Sequence, residues 1–144
     1  MILVWLIGIL LLGGVLAWLA ERWSAQLPRW ISLLAIGTDL ILTAIIWAGS
    51  PIHATQPWLD ELDWRWVPRL GIHFHLAVDG LSLLMLVLTF LLGIMAVLAS
   101  WTEIREKVGF FHFNLMWVLA GIAGVFLAMD LFLFYFAWEL MLVP

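Results

Sequence analysis

The sequence predicts an all-α membrane protein of about five transmembrane helices, with a short β-hairpin in one external loop. Two observations carry that expectation. Hydrophobic residues make up 66% of the chain against 11% charged, with a mean hydropathy of +1.14, more apolar surface than a soluble domain of 144 residues can bury in one core. The apolar residues also run in uninterrupted stretches close to the ~20 residues that cross a hydrocarbon layer. Eleven tryptophans and nine phenylalanines supply the rings that membrane proteins place at interfaces and against lipid. The absence of cysteine excludes disulfides, thiolate metal sites and cysteine nucleophiles. A net charge of −4 with no basic patch excludes a nucleic-acid surface.

Residues 1–20 are continuously apolar and no Lys or Arg precedes them. A secretory signal would need positive charge first and a small-residue cleavage site afterwards, so a retained first helix is expected. The second helix is expected over 30–48, where Pro28 just ahead is a natural helix starter. The third covers 81–101, between Asp79-Gly80 and Thr102-Glu103. From 110 to 144 the chain is apolar except at His112, Asn114, Asp130 and Glu139. As one helix this stretch would be roughly 52 Å long, too long for one ordinary span, so it divides at Asp130 into helices at 110–129 and 131–144. All five belong to a single transmembrane domain.

Positive charge orients the set. Arg22 and Arg29 fall in the first loop and Arg105 and Lys107 in the third, which places those loops in the cytoplasm and the N-terminus outside. The long loop over 49–80 is then external and carries Asp60, Glu61, Asp63 and Asp79 against Arg65 and Arg69. Trp18, Trp23, Trp30, Trp47 and Trp101 sit near expected helix ends, as an aromatic belt requires. Within the loop, Ile72, Phe74, Leu76 and Val78 alternate with His73, His75 and Ala77, the period of a strand. With 64–67 before it and 68–71 between, the pattern reads as a hairpin. His73 and His75 share one face of that strand, but without a third placed ligand they define no closed metal site. A polar outer face is the expected role.

Small residues indicate how the helices meet. Ala120, Gly124 and Ala128 recur every four residues, and Gly13 and Ala17 form a shorter stripe. Such stripes let backbones approach where lipid supplies no hydrophobic drive for helix pairing.

Two carboxylates are expected at membrane depth. An Asp at a helix centre costs about 2.5–3.5 kcal/mol on insertion scales, so each needs a reason to be there. For Asp39, Thr43 lies one turn on and Ser32 two turns back, which favours a hydrogen-bonded packing role over transport. Glu139 shares its face with Phe132, Tyr135, Phe136, Leu142 and Val143, of which only Tyr135 can offer a local hydrogen bond. Its partner is therefore expected from another helix, and Glu139 is the candidate proton-handling residue. Asp130 lies about 180° around a helix and roughly 13.5 Å from it, so the two form no local acid pair. Pro144 cannot donate to the carbonyl of Leu140, which frees an acceptor next to the glutamate.

The stretches HLAVDGLSLLMLVLT (75–89), GFFHFNLMW (109–117) and FLAMDLFLFYFAWELMLVP (126–144) resemble the antiporter-like subunits of respiratory complex I, the NADH:quinone oxidoreductase. The ending WELMLVP is similar to the subunit M branch, the mitochondrial subunit-four type, more than to the sister subunit L branch. Family members are longer, with fourteen helices, so the chain resembles their N-terminal portion. The resemblance implies a non-redox, proton-translocating subunit of a bacterial inner-membrane complex, inactive alone. Its partners would be other membrane-arm subunits, above all sister antiporter-like subunits, and the lipid bilayer. No cofactor would sit in this chain, since NADH, FMN, iron–sulfur clusters and quinone act elsewhere in the complex. Glu139 matches the key glutamate of helix five, expected to work against a lysine on a later helix; Lys107, the only lysine here, belongs to a loop. Asp39 matches no functional position of the family. A multisubunit cation/proton antiporter and a non-transporting membrane scaffold remain as alternatives.

Overall fold

The computed structural model describes residues 1–49, 58–67, 69 and 71–144. In chain order it contains α1 (Ile2–Ala20), α2 (Leu27–Gly49), β1 (Asp60–Val67), β2 (Ile72–Val78), α3 (Gly80–Ala99), α4 (Val108–Leu127) and α5 (Leu131–Leu142). The first four helices are long and apolar enough to cross a membrane, while α5 is apolar but shorter, at 12 residues. Its length of about 18 Å takes it a little past the middle of a ~30 Å hydrocarbon layer.

The helix boundaries follow from local chemistry. α2 begins at Leu27, three residues before the expected start, with Pro28 in its first turn, where a missing N–H costs nothing. Arg29, expected in the first loop, is therefore inside the helix and buried. α3 is capped by Asp79, whose carboxylate accepts the Ser82 N–H at 2.7 Å. The division between α4 and α5 falls at Asp130 as expected: Ala128 turns extended, and Asp130 caps α5 by accepting the N–H groups of Phe132 at 2.8 Å and Leu133 at 3.4 Å. No glycine or proline was needed there because an aspartate supplies the acceptor that the first turn lacks.

β1 and β2 pair antiparallel from Asp60 opposite Val78 to Val67 opposite Ile72, with an irregularity between Arg65 and Val67. Gly71, at φ +66, takes the left-handed backbone at the entry to β2. Pro68 and Leu70 of the expected turn, and 50–57 of the expected loop, lie outside the described residues. The hairpin closes over the end of the bundle. Leu76, Ala77 and Val78 are buried, the Met129 N–H donates to the His75 carbonyl at 2.9 Å, and the His73 N–H donates to the Asp130 carboxylate at 3.3 Å.

The helices meet through glycines. A Cβ at Gly13 of α1 would lie 2.9 Å from Ala35 Cβ and 3.0 Å from Met116 Cε, and at Gly93 of α3 2.8 Å from Leu119 Cδ1. A further close seam joins α4 to α5, where a Cβ at Gly121 would meet Met141 backbone at 2.8 Å and one at Gly124 would meet Ala137 Cβ at 2.9 Å. Gly13, Ala17, Ala120 and Gly124 of the two sequence stripes are thus buried in helix interfaces. The core they enclose includes Leu3, Leu6, Leu10, Ile36, Leu86, Phe90, Met116 and Leu127.

Candidate functional site

α5 has two unlike faces. Leu133 and Ala137 are buried against α4, whereas Phe132, Tyr135, Phe136, Trp138, Glu139 and Leu142 are exposed. Gly121 and Gly124 of α4 accept its Ala137–Met141 stretch, and on the other side Trp66 of β1 meets Phe132 at 6.1 Å, leaving Tyr135, Trp138, Glu139 and Leu142 exposed. Glu139 stands on that exposed face, about 12 Å from the first residue of α5. Tyr135, one turn back on the same exposed face, is its polar neighbour on α5. The Glu139 carbonyl accepts the Val143 N–H at 3.2 Å. Lys107 is at the opposite end of the bundle, at the start of α4 with a φ of 50, and forms no ion pair with Glu139.

Asp130 sits outside the helices as the α5 cap, at the hairpin end of the bundle. Its carboxyl is held below the ordinary carboxylate value chiefly by the His73 backbone N–H, with Phe132 and Leu133 adding to the effect. The carboxylate thus ties the hairpin to the helix that carries Glu139. His73 and His75 lie on one face of β2, as expected, and pair with β1 carboxylates. His73 Nδ1 is 2.9 Å from Asp63 and His75 Nε2 is 2.8 Å from Glu61. Among the described residues no three His, Cys, Asp or Glu side chains gather as metal ligands.

Asp39 departs from expectation. It is at the middle of α2 and wholly buried, but neither Thr43 nor Ser32 serves its carboxylate. Thr43 Oγ1 donates to the Asp39 backbone carbonyl at 2.8 Å and Ser32 Oγ to that of Pro28 at 2.9 Å. Hydroxyls inside a helix reach the carbonyl four residues back more easily than a side chain on another turn. Both Asp39 carboxylate oxygens are left without a partner.

Two interior groups escaped the sequence reading. Arg29 is buried, with an Nη2 donating to the Ile104 carbonyl at 2.9 Å and its guanidinium 5.6 Å from the Trp101 ring centre. His112 is 1% exposed on the inner face of α4, with Nδ1 unpartnered. A signal existed: Arg29, Ser32, Asp39 and Thr43 recur at helical spacing, so the polar stripe of α2 points inward.

No family model matches the chain. By sequence it is 54% identical over 149 residues to NADH-quinone oxidoreductase subunit M of Escherichia coli (strain K12), across 100% of this chain and 29% of that protein. It is 55% identical over 150 residues to subunit M of Pseudomonas aeruginosa, across 100% of this chain and 30% of that one. The chain therefore spans less than a third of the length of these relatives. In fold it is similar to a chain of the membrane-bound sulfane sulfur reductase, an archaeal respiratory membrane complex. The TM-score is 0.75 at 23% identity, over 94% of this chain and 21% of that one. At that identity the likeness speaks for the fold alone.

Proposed function

Because the chain belongs to the subunit M family of NADH-quinone oxidoreductase and matches its N-terminal portion, we propose that it forms part of a proton-translocating, non-redox membrane-arm subunit in which Glu139 relays protons. The observation that carries this reading is the lopsided packing of α5. The glycines of α4 and the hairpin position the helix, yet the face with the carboxylate stays exposed. An acid at mid-membrane depth is tolerated where it faces a protein interior or a hydrated cavity. The open face of α5 is accordingly where further helices of the full subunit dock.

A cation on such a helix would stabilise the Glu139 carboxylate, and moving that cation away would favour proton uptake by the acid. Tyr135, one turn back, is placed to donate to the carboxylate. In this scheme the N-terminus faces outside, the 20–27 and 99–108 connections face the cytoplasm, and the neighbours are other membrane-arm subunits of a bacterial inner-membrane complex.

The test is Glu139→Gln in the full-length subunit, assembled in its complex in inverted membrane vesicles. NADH-driven proton uptake should fall severalfold while assembly is retained. Undiminished proton uptake per NADH oxidised would refute the assignment.

A further inference from the structure

Asp39 is surrounded by its own chain. α1, α3 and α4 all pack against or beside α2, and their buried residues at this level are apolar apart from Thr89, whose hydroxyl donates to the Met85 carbonyl at 2.8 Å. The titratable or charged side chains buried in the bundle besides Asp39 are Arg29 and His112; α1 and α3 bury none among the described residues. Because Asp39 is 0% exposed, no further helix can bring it a counter-ion. An ionised carboxylate in such a place, with both oxygens unpaired, is costly enough that the group takes up a proton instead.

The interior is layered along the bundle axis. At the start of α2 and α4, the buried Arg29, Ser32 and His112 form a polar region. One turn beyond His112 comes Met116, and one turn before Asp39 comes Ile36, both fully buried. The glycines place these side chains in one layer. Met116 Cε is 3.0 Å from the Cβ position of Gly13, and Ile36 Cδ1 and Leu119 Cδ1 are 3.4 Å and 2.8 Å from that of Gly93. All four spanning helices thus contribute to an apolar layer with Asp39 on one side and the polar region on the other. Arg29 Nε and His112 Nδ1, both buried and unpartnered, mark that region as a place where ordered water completes the hydrogen bonding.

We infer that Asp39 is a second proton-binding site, occluded in mid-bundle, with the Ile36–Met116–Leu119 layer as its barrier and Arg29, Ser32 and His112 as a hydrated vestibule. The ligand is a proton, held as the carboxylic acid. Met116 is the movable part of the barrier, since an unbranched thioether has several rotamers of similar energy where Ile36 has few. The site is separate from Glu139, which lies on the far side of α4.

Infrared spectroscopy of the full-length subunit in its native complex, grown with and without 13C-labelled aspartate, tests this. At neutral pH a protonated-carboxyl C=O band should shift with the label, vanish in Asp39→Asn and persist in Glu139→Gln. On transfer to D2O that band should move slowly in the wild type and severalfold faster in Met116→Ala. An absence of any label-sensitive protonated band would overturn the site, even if Asp39→Asn failed to assemble. A band unaffected by Asp39→Asn would do the same, and equal exchange in wild type and Met116→Ala would overturn the barrier.

Discussion

Single residues set the registers of this fold, and two aspartates do much of it from just outside the helices they cap. Asp79 and Asp130 cap α3 and α5, and both carboxyls sit below the ordinary value of 3.8. For Asp79 the chief cause is the Ser82 backbone N–H, and for Asp130 that of His73. Since the native state depresses these values, the capping contribution is complete above the ordinary carboxylate range and is lost as pH falls through the lowered native values. Amide exchange at His73, Phe132 and Leu133, corrected for the intrinsic rate, should therefore keep its protection from neutrality down to about pH 4 and lose it below. Asp130→Ala should remove that protection at neutral pH and Asp130→Asn should retain much of it, because the amide oxygen still accepts. Unchanged protection in Asp130→Ala would show that the hairpin and α5 are held by other means.

The α4–α5 boundary was legible in sequence because one acid in an apolar run had to be a cap or a membrane-depth carboxylate, and its place in an overlong stretch decided between them. Asp39 was less legible. Helical spacing put Thr43 and Ser32 near it, but spacing does not say which acceptor a hydroxyl chooses, and both chose backbone carbonyls. Arg29 was misplaced because a charge beside a proline resembles a loop, whereas the helix begins before both.

At the scale of elements, neighbours determine what a glycine is worth. Gly121 receives Met141 backbone and Gly124 receives Ala137, so a methyl group at either must push two backbones apart. Gly121→Ala and Gly124→Ala should each destabilise the subunit by about 1–3 kcal/mol as overpacking does, with α5 affected most. Gly37, with nothing within 4 Å of its Cβ position, is the contrast. There the same change should be neutral or stabilising by up to about 1 kcal/mol through helix propensity. Detergent-unfolding titrations of the three variants check this, and equal effects at Gly37 and Gly121 would contradict the seam. The stripe Ala120, Gly124 and Ala128 announced close packing from sequence alone, but not its partner, since a small-residue pattern fits any helix that approaches it. Gly121, outside that stripe, meets Met141 backbone at 2.8 Å, closer than Gly124 meets Ala137 at 2.9 Å.

For the whole molecule, the telling feature is an asymmetry of cover. The spans bury Gly13, Gly93, Gly121, Gly124 and a polar stripe of α2 inward, and the hairpin closes one end of the bundle. α5 by contrast leaves Tyr135, Trp138, Glu139 and Leu142 exposed, while Phe132 beside them meets Trp66 of β1 edge-on at 6.1 Å. Sequence showed that Tyr135 was the one local hydrogen-bonding partner open to Glu139; only the fold showed that the surface around the carboxylate is exposed, because that depends on which side of α5 Gly121 and Gly124 grip. The account requires this face to be enclosed by protein in the complete subunit, with the carboxylate shielded at membrane depth. Glu139→Cys in an otherwise cysteine-free full-length subunit, assembled in its complex and treated with a membrane-impermeant thiol reagent from each side in turn, measures this directly. The expected result is slow labelling from both sides, with Trp23→Cys on the exposed first connection labelled fast from one side only. Fast labelling of Glu139→Cys from bulk water would place the residue at the surface and contradict the relay.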